Sequence, residues 1–125
     1  MTKTDKKVRK VKNQAVSSIR KHLQKKNISI FEVVNDKLNT DCDFVIEEDG
    51  ILKKVKCQVG WMDAGSVNFW TTKAAHKDID LVYVYVPKWE KIYKVPSPIA
   101  ISTGGTLRFM PVIPRRYTFA KDYEE

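Results

Sequence analysis

Three residues of this 125-residue chain have the types and spacing needed to work on a phosphate: Asp43, Lys56 thirteen positions later, and Gln58 two beyond that. Hydrolysis of a phosphodiester calls for a divalent cation that polarises the phosphate and lowers the pKa of a water, and a carboxylate is the hard oxygen ligand that holds such an ion. Asp43 fits that role. A nearby cation can stabilise charge developing on the phosphate or orient the attacking water, which suits Lys56. Gln58 would add a neutral oxygen to the metal shell. An Asp facing a Lys across a hairpin is also an ordinary cross-strand ion pair worth a few tenths of a kcal/mol, so these residue types alone do not define a site.

The elements that must position the three are legible nearby. Asp43–Glu47 and Ile51–Val59 are extended candidates separated by Glu48, Asp49 and Gly50, and Asp-Gly is a strong two-residue hairpin signal. With Asp49 and Gly50 at the centre of the turn, Glu48 pairs with Ile51, Asp43 lies opposite Lys56, and Gln58 is the diagonal neighbour on the same face. Phe44, Val55 and Cys57 point the other way.

Before the hairpin, Val8, Val11, Ala15, Ile19 and Leu23 recur at helical spacing, which predicts an amphipathic helix of about 15 to 18 residues. The cations Lys7, Arg9, Lys10, Lys12, Arg20, Lys21, Lys25 and Lys26 fall mostly off that stripe, and residues 1–7 read as a flexible basic tail. Ile28–Val34 reads as a strand and 35–40 as a loop. After the hairpin come a strand at Ser66–Trp70, a short helical or irregular stretch over 71–77, a buried strand at Leu81–Val86, a partner strand at Lys91–Val95 ended by Pro96 and Pro98, and a late loop or edge element. The order predicts one α/β domain with a central mixed sheet.

Charge is concentrated at one end. Residues 1–26 hold ten Lys or Arg against Asp5 alone, whereas residues 27–125 hold thirteen against fourteen acids. A local basic face points to a polyanion, nucleic acid being the commonest in a cell, although a solvated tail has the same composition. The helix lacks the large aromatics that would anchor it in a bilayer, and no run of about 18 apolar residues occurs. A cytoplasmic location is expected, with Cys42 and Cys57 as buried thiols rather than a disulfide. His22 and His76 show no zinc-ligand spacing to either cysteine. Trp61, Trp70 and Trp89 are core candidates, while Trp61 and Trp70, flanking the site strand, also suit base stacking or a subunit contact.

Several segments together carry a resemblance: Asp43-Phe44-Val45-Ile46, Asp49-Gly50, Lys54 through Val59, Asp78 through Pro87, Ile92-Tyr93-Lys94-Val95-Pro96, and Ala120-Lys121-Asp122-Tyr123-Glu124. In this order and spacing they resemble the small PD-(D/E)XK endonucleases that include cyanobacterial intron-encoded homing enzymes, over most of the chain. The resemblance implies a restriction-endonuclease-like core, with a central mixed β-sheet flanked by helices and a basic N-terminal helix. It further implies an endodeoxyribonuclease dependent on Mg²⁺ or Mn²⁺, acting on double-stranded DNA as a dimer or tetramer. Asp43 would be the metal-binding acid, with Gln58 and Cys57 completing the protein's share of the metal site and Lys56 and Gln58 sharing the chemistry with Asp43.

The pattern departs from the family's in order. The family places Gln or Glu first and Lys second, and here Lys56 and Gln58 are exchanged. Another alignment makes Gln58 the metal-side residue and leaves Gly60 where the Lys should stand. The first-helix Glu of many members has no counterpart, Val16 being the nearest position, so Asp41 or Asp63 is the candidate second acid. A catalytically silent nucleic-acid binder on the same scaffold, a Holliday-junction-type resolvase, and a module whose basic helix docks on an acidic protein are the competing expectations.

Overall fold

The computed structural model describes residues 3–33, 42–63, 65–71, 78–108 and 120–125, with the backbone alone for 3–9. Helix α1 runs Lys3–Lys25, followed by β1 (Ile30–Phe31), β2 (Phe44–Glu48), β3 (Ile51–Asp63), β4 (Ser66–Phe69), β5 (Leu81–Val86), β6 (Lys91–Pro96), α2 (Ser97–Ser102), β7 (Thr106–Arg108) and a 3-10 turn at Ala120–Tyr123. The fold is mixed α/β. Antiparallel pairs dominate the sheet, and β3 with β5 forms its one parallel pairing among the described strands.

The hairpin follows its turn chemistry. Asp49 and Gly50 both take positive φ, 54° and 80°, as a two-residue primed turn requires. The register from Phe44↔Val55 to Glu48↔Ile51 is the one the turn implies. β3 is longer than expected and runs through Gly60 to Asp63, pairing with β2 at its start, β5 in its middle and β4 at its end. Gly60 allows this. A Cβ there would sit 2.6 Å from Val84 Cγ1 and 3.2 Å from Val86 Cγ2, so the missing side chain is what lets β5 lie close.

β5 is buried along its whole length. Leu81, Tyr83 and Tyr85 join Phe44, Ile46, Val55 and Cys57 under Ala15, Ile19 and Leu23 of α1. On the opposite face, Val82, Val84 and Val86 pack with Val67, Phe69, Val95, Ala100 and Leu107. One sheet thus separates two apolar layers, as the all-apolar sequence Leu81–Val86 requires.

Several boundaries differ from the expectations above. α1 has 23 residues and starts at Lys3, so residues 3–7 continue the helix and are not a tail. Of the strand expected at 28–34, Ile30–Phe31 is the extended, paired part among the described residues 28–33, and Val34 lies outside them. Pro96 and Pro98 end β6 by opening α2, since proline suits the first positions of a helix as well as the end of a strand. The three tryptophans are not core: Trp61, Trp70 and Trp89 are 43%, 74% and 47% exposed. The expected stretch at 71–77, the loop at 35–40, His76 and Asp41 lie, apart from Thr71, outside the described residues.

Candidate nucleic-acid interface and cation site

The site forms where β2 stops and β3 runs on. Phe44 is the ladder partner of Val55, yet the Asp43 amide also donates to the Val55 carbonyl, at 2.7 Å. Two successive residues of one strand thus face one of the other, the arrangement of a β-bulge, which re-aims the side chain it carries. The Asp43 carboxylate lies against α1 rather than on the face that Lys56 and Gln58 share by alternation with the buried Val55 and Cys57. This corrects the expected placement. Strand geometry alone put Asp43 with Lys56 and Gln58, whereas Asp43 Oδ2 accepts the Cys57 backbone N–H at 2.6 Å and a hydrogen bond from Lys12 Nζ at 3.2 Å.

Lys12 also donates to the Cys57 carbonyl oxygen. Its ammonium is therefore held between one carboxylate and one main-chain carbonyl. Lys12 was assigned above to the DNA-facing cations; the structure makes it the partner of Asp43, its side chain about one-third exposed. The signal for this was in the sequence. Lys12 stands three, seven and eleven positions before Ala15, Ile19 and Leu23, the fully buried side chains among those described in α1, and so leaves the helix on its docked side.

Cys57 is fully buried, and burial, reinforced by the Asp43 charge, pushes its thiol up to about 12. The sulfur is therefore a neutral packing atom, and what Cys57 offers a cation is its carbonyl. Both cysteines are thiols. Lys56 and Gln58 are half-buried on β3. Asp63 is six residues from Cys57 along the same strand, roughly 20 Å at strand rise, and does not join Asp43. No group of three His, Cys, Asp or Glu side chains comes together among the described residues. At Gly60, where the alternative alignment would look for the Lys, a Cβ would sit 2.6 Å from Val84 Cγ1 and 3.2 Å from Val86 Cγ2.

An open groove of about 650 Å³ runs along α1 beside Asp43, lined by Lys12, Asn13, Val16, Ser17, Arg20, Lys21, Gln24 and Asp43. Three cations and one acid set its sign. Arg20 is fixed by a two-pronged pair with Glu32, one arm at 2.9 Å, and lies over the Phe44 ring at 4.8 Å. The Glu32 pairing raises the Arg20 pKa further. Lys26 pairs with Glu125 at 3.1 Å. Lys10, Lys21 and Lys25 are exposed, and the side chains of Lys7 and Arg9 lie outside the described residues. Of the cations expected to face DNA, Lys12, Arg20 and Lys26 are thus engaged within the protein.

The chain shares its fold with a solved bacterial homing endonuclease, I-Ssp6803I: TM-score 0.70 over 92% of this chain and 84% of that one, at 22% sequence identity. No protein-family model and no curated relative matches the chain. No helix among the described residues is long and apolar enough to cross a membrane.

Proposed function

We propose that the chain is a metal-dependent DNA endonuclease of the PD-(D/E)XK class, homing-type in character. The observation that carries this reading is the convergence of the Asp43 carboxylate and the Cys57 carbonyl on a single cation at the edge of a basic groove. Two hard oxygens aimed at one point are a donor set suited to Mg²⁺ or Mn²⁺. A divalent ion bound there would polarise the scissile phosphate and acidify a water.

The chain's own residues supply the rest. Lys10, Lys21 and Lys25 hold double-stranded DNA by its phosphates along α1. Asp43 and the Cys57 carbonyl would hold the cation, with phosphate oxygens completing its shell, since Asp43 is the one acid at this point among the described residues. Lys56 and Gln58 contribute from β3, Lys56 by stabilising charge on the phosphate and Gln58 as a neutral donor or acceptor. Cutting both strands calls for at least two copies of so small a chain. The exposed Trp61 and Trp70 supply apolar surface for such a contact, and light scattering at micromolar concentration should show a dimer or tetramer.

One observation favours a second reading, a nucleic-acid binder without chemistry: the cation held by Asp43 is the Lys12 ammonium. Plasmid nicking separates the two. Relaxation of supercoiled DNA in Mg²⁺ or Mn²⁺, suppressed by EDTA and absent in Asp43→Asn, is expected. Tight DNA binding with no cutting of any duplex or junction in either metal would establish the silent binder.

A further inference from the structure

Resting on the endonuclease reading, we propose that Lys12 is a built-in competitor for the metal position, so that the site takes up its divalent cation only after a DNA phosphate has drawn the Lys12 ammonium away. Three observations carry this. First, the position is occupied by a charge the protein itself provides: Lys12 Nζ contacts Asp43 Oδ2 at 3.2 Å and donates to the Cys57 carbonyl. Both oxygens that would ligate a metal already serve one ammonium. Second, among the described residues Asp43 is the single carboxylate there, and its Oδ2 also accepts the Cys57 N–H at 2.6 Å. An ammonium and a divalent ion cannot share that carboxylate at contact distance without strong repulsion, so binding of one opposes the other. Third, Lys12 has somewhere else to go. It lines the groove together with Arg20 and Lys21, and its side chain is about one-third exposed. A phosphate laid in that groove offers the ammonium a second anionic partner within reach of its flexible four-carbon stem.

The consequence is thermodynamic coupling: anything that removes Lys12 from Asp43 strengthens metal binding, and by reciprocity the metal strengthens DNA binding. Metal-free cutting of stray nucleic acid is prevented by Asp43's need for the ion, and idle loading of the ion by Lys12.

The test is Mn²⁺ binding to the full chain, followed by electron paramagnetic resonance or calorimetry, without DNA and with a saturating duplex. Mn²⁺ bound by Asp43→Asn and by its DNA complex gives the background in each case. Wild-type protein without DNA should bind Mn²⁺ weakly. Lys12→Met and Lys12→Gln should each bind it at least tenfold more tightly, and Lys12→Met/Asp43→Asn should lose the gain. Duplex DNA should raise the Mn²⁺ affinity of wild type well above background while changing that of Lys12→Met much less. Equal Mn²⁺ affinity of wild type and both Lys12 variants, each with a wild-type circular dichroism spectrum, would overturn the proposal. The two readings fail separately: metal gain without nicking by any variant leaves the competitor intact and removes the endonuclease, whereas nicking by wild type with no metal gain on Lys12 substitution does the reverse.

Discussion

Asp43 combines two duties that are usually divided between residues. It closes the end of the β2 ladder by accepting the Cys57 amide, and it is the acid of the cation site. Asp43→Asn keeps an acceptor for the amide and removes the charge, so the fold should survive with a stability loss of about 1 kcal/mol or less, the ion pair with Lys12 being partly solvated. Cleavage should fall by orders of magnitude in the nicking assay, because a neutral amide holds a divalent cation poorly. DNA affinity should be unchanged or higher. Asp49→Asn is the control: Asp49 sits in the turn at φ 54°, a conformation that asparagine tolerates, and its variant should cut at the wild-type rate. Lys56→Ala and Gln58→Ala should each slow cutting, and the larger loss identifies which holds the Lys role. What was legible in the sequence was the hairpin that carries Asp43, Lys56 and Gln58, three residue types at recognisable spacing. Their mutual orientation was not, because alternation along a strand assumes an unbroken ladder, and the bulge at Asp43 depends on contacts from a helix about thirty residues away.

At the scale of elements, what could be read was what local chemistry decides. Asp49-Gly50 sets the hairpin register without help from the rest of the chain, and the run Leu81–Val86 can only be a strand covered on both faces. What could not be read was decided by neighbours. β3 passes Gly60 because β5 needs the space a side chain would take. Gly60→Ala should therefore destabilise the protein by roughly 1–3 kcal/mol through overpacking against Val84 and Val86, read as a lower urea midpoint at unchanged slope. Glu48, at the other end of the hairpin, ties strands together. It accepts hydrogen bonds from Lys53, at 2.8 Å, and from Lys94 of β6. These lysines, Lys53 first, hold its carboxyl below the ordinary carboxylate range. A lowered folded-state pKa means that the stabilisation is complete above the unfolded value and is lost as pH falls through the folded one. Thermal melting of Glu48→Gln should accordingly lie below wild type near pH 7, and the two should draw together in acid as the pH falls below the ordinary carboxylate range and through the lowered folded-state value.

Across the whole molecule, the basic character belongs to α1. The helix is about 35 Å long at helical rise, and among its described side chains Ala15, Ile19 and Leu23, with Val16 beside them, pack on the sheet. Its remaining length and its outward cations form a rod laid on one face of the sheet. Replacing Lys7, Lys10, Lys21 and Lys25 with Gln should weaken binding to all DNA sequences alike. The slope of log affinity against log salt should flatten by roughly 3 to 4 if all four touch phosphate. Fluorescence anisotropy with two unrelated duplexes measures both effects, and unchanged affinity at low salt would exclude α1 as the phosphate-binding element. The charge asymmetry behind this prediction was plain in the sequence. Which cations are available was not, since Arg20, Lys26 and Lys12 are taken up by Glu32, Glu125 and Asp43, partners that only the folded chain brings near.

The Cys57 amide gives a way to watch the site without any substrate. Most core amides of β3 and β5 are held by neighbouring strands, so their hydrogen–deuterium exchange reports opening of the sheet, on the slow timescale of global unfolding. The Cys57 proton is held by a side chain instead. It is protected only while the Asp43 carboxylate keeps its position, and its exchange rate is a clock set by that one group. If Lys12 steadies the carboxylate, exchange at Cys57 should quicken when Lys12 leaves and slow again once a metal replaces it, while the amides of Tyr83 and Val84 keep their pace.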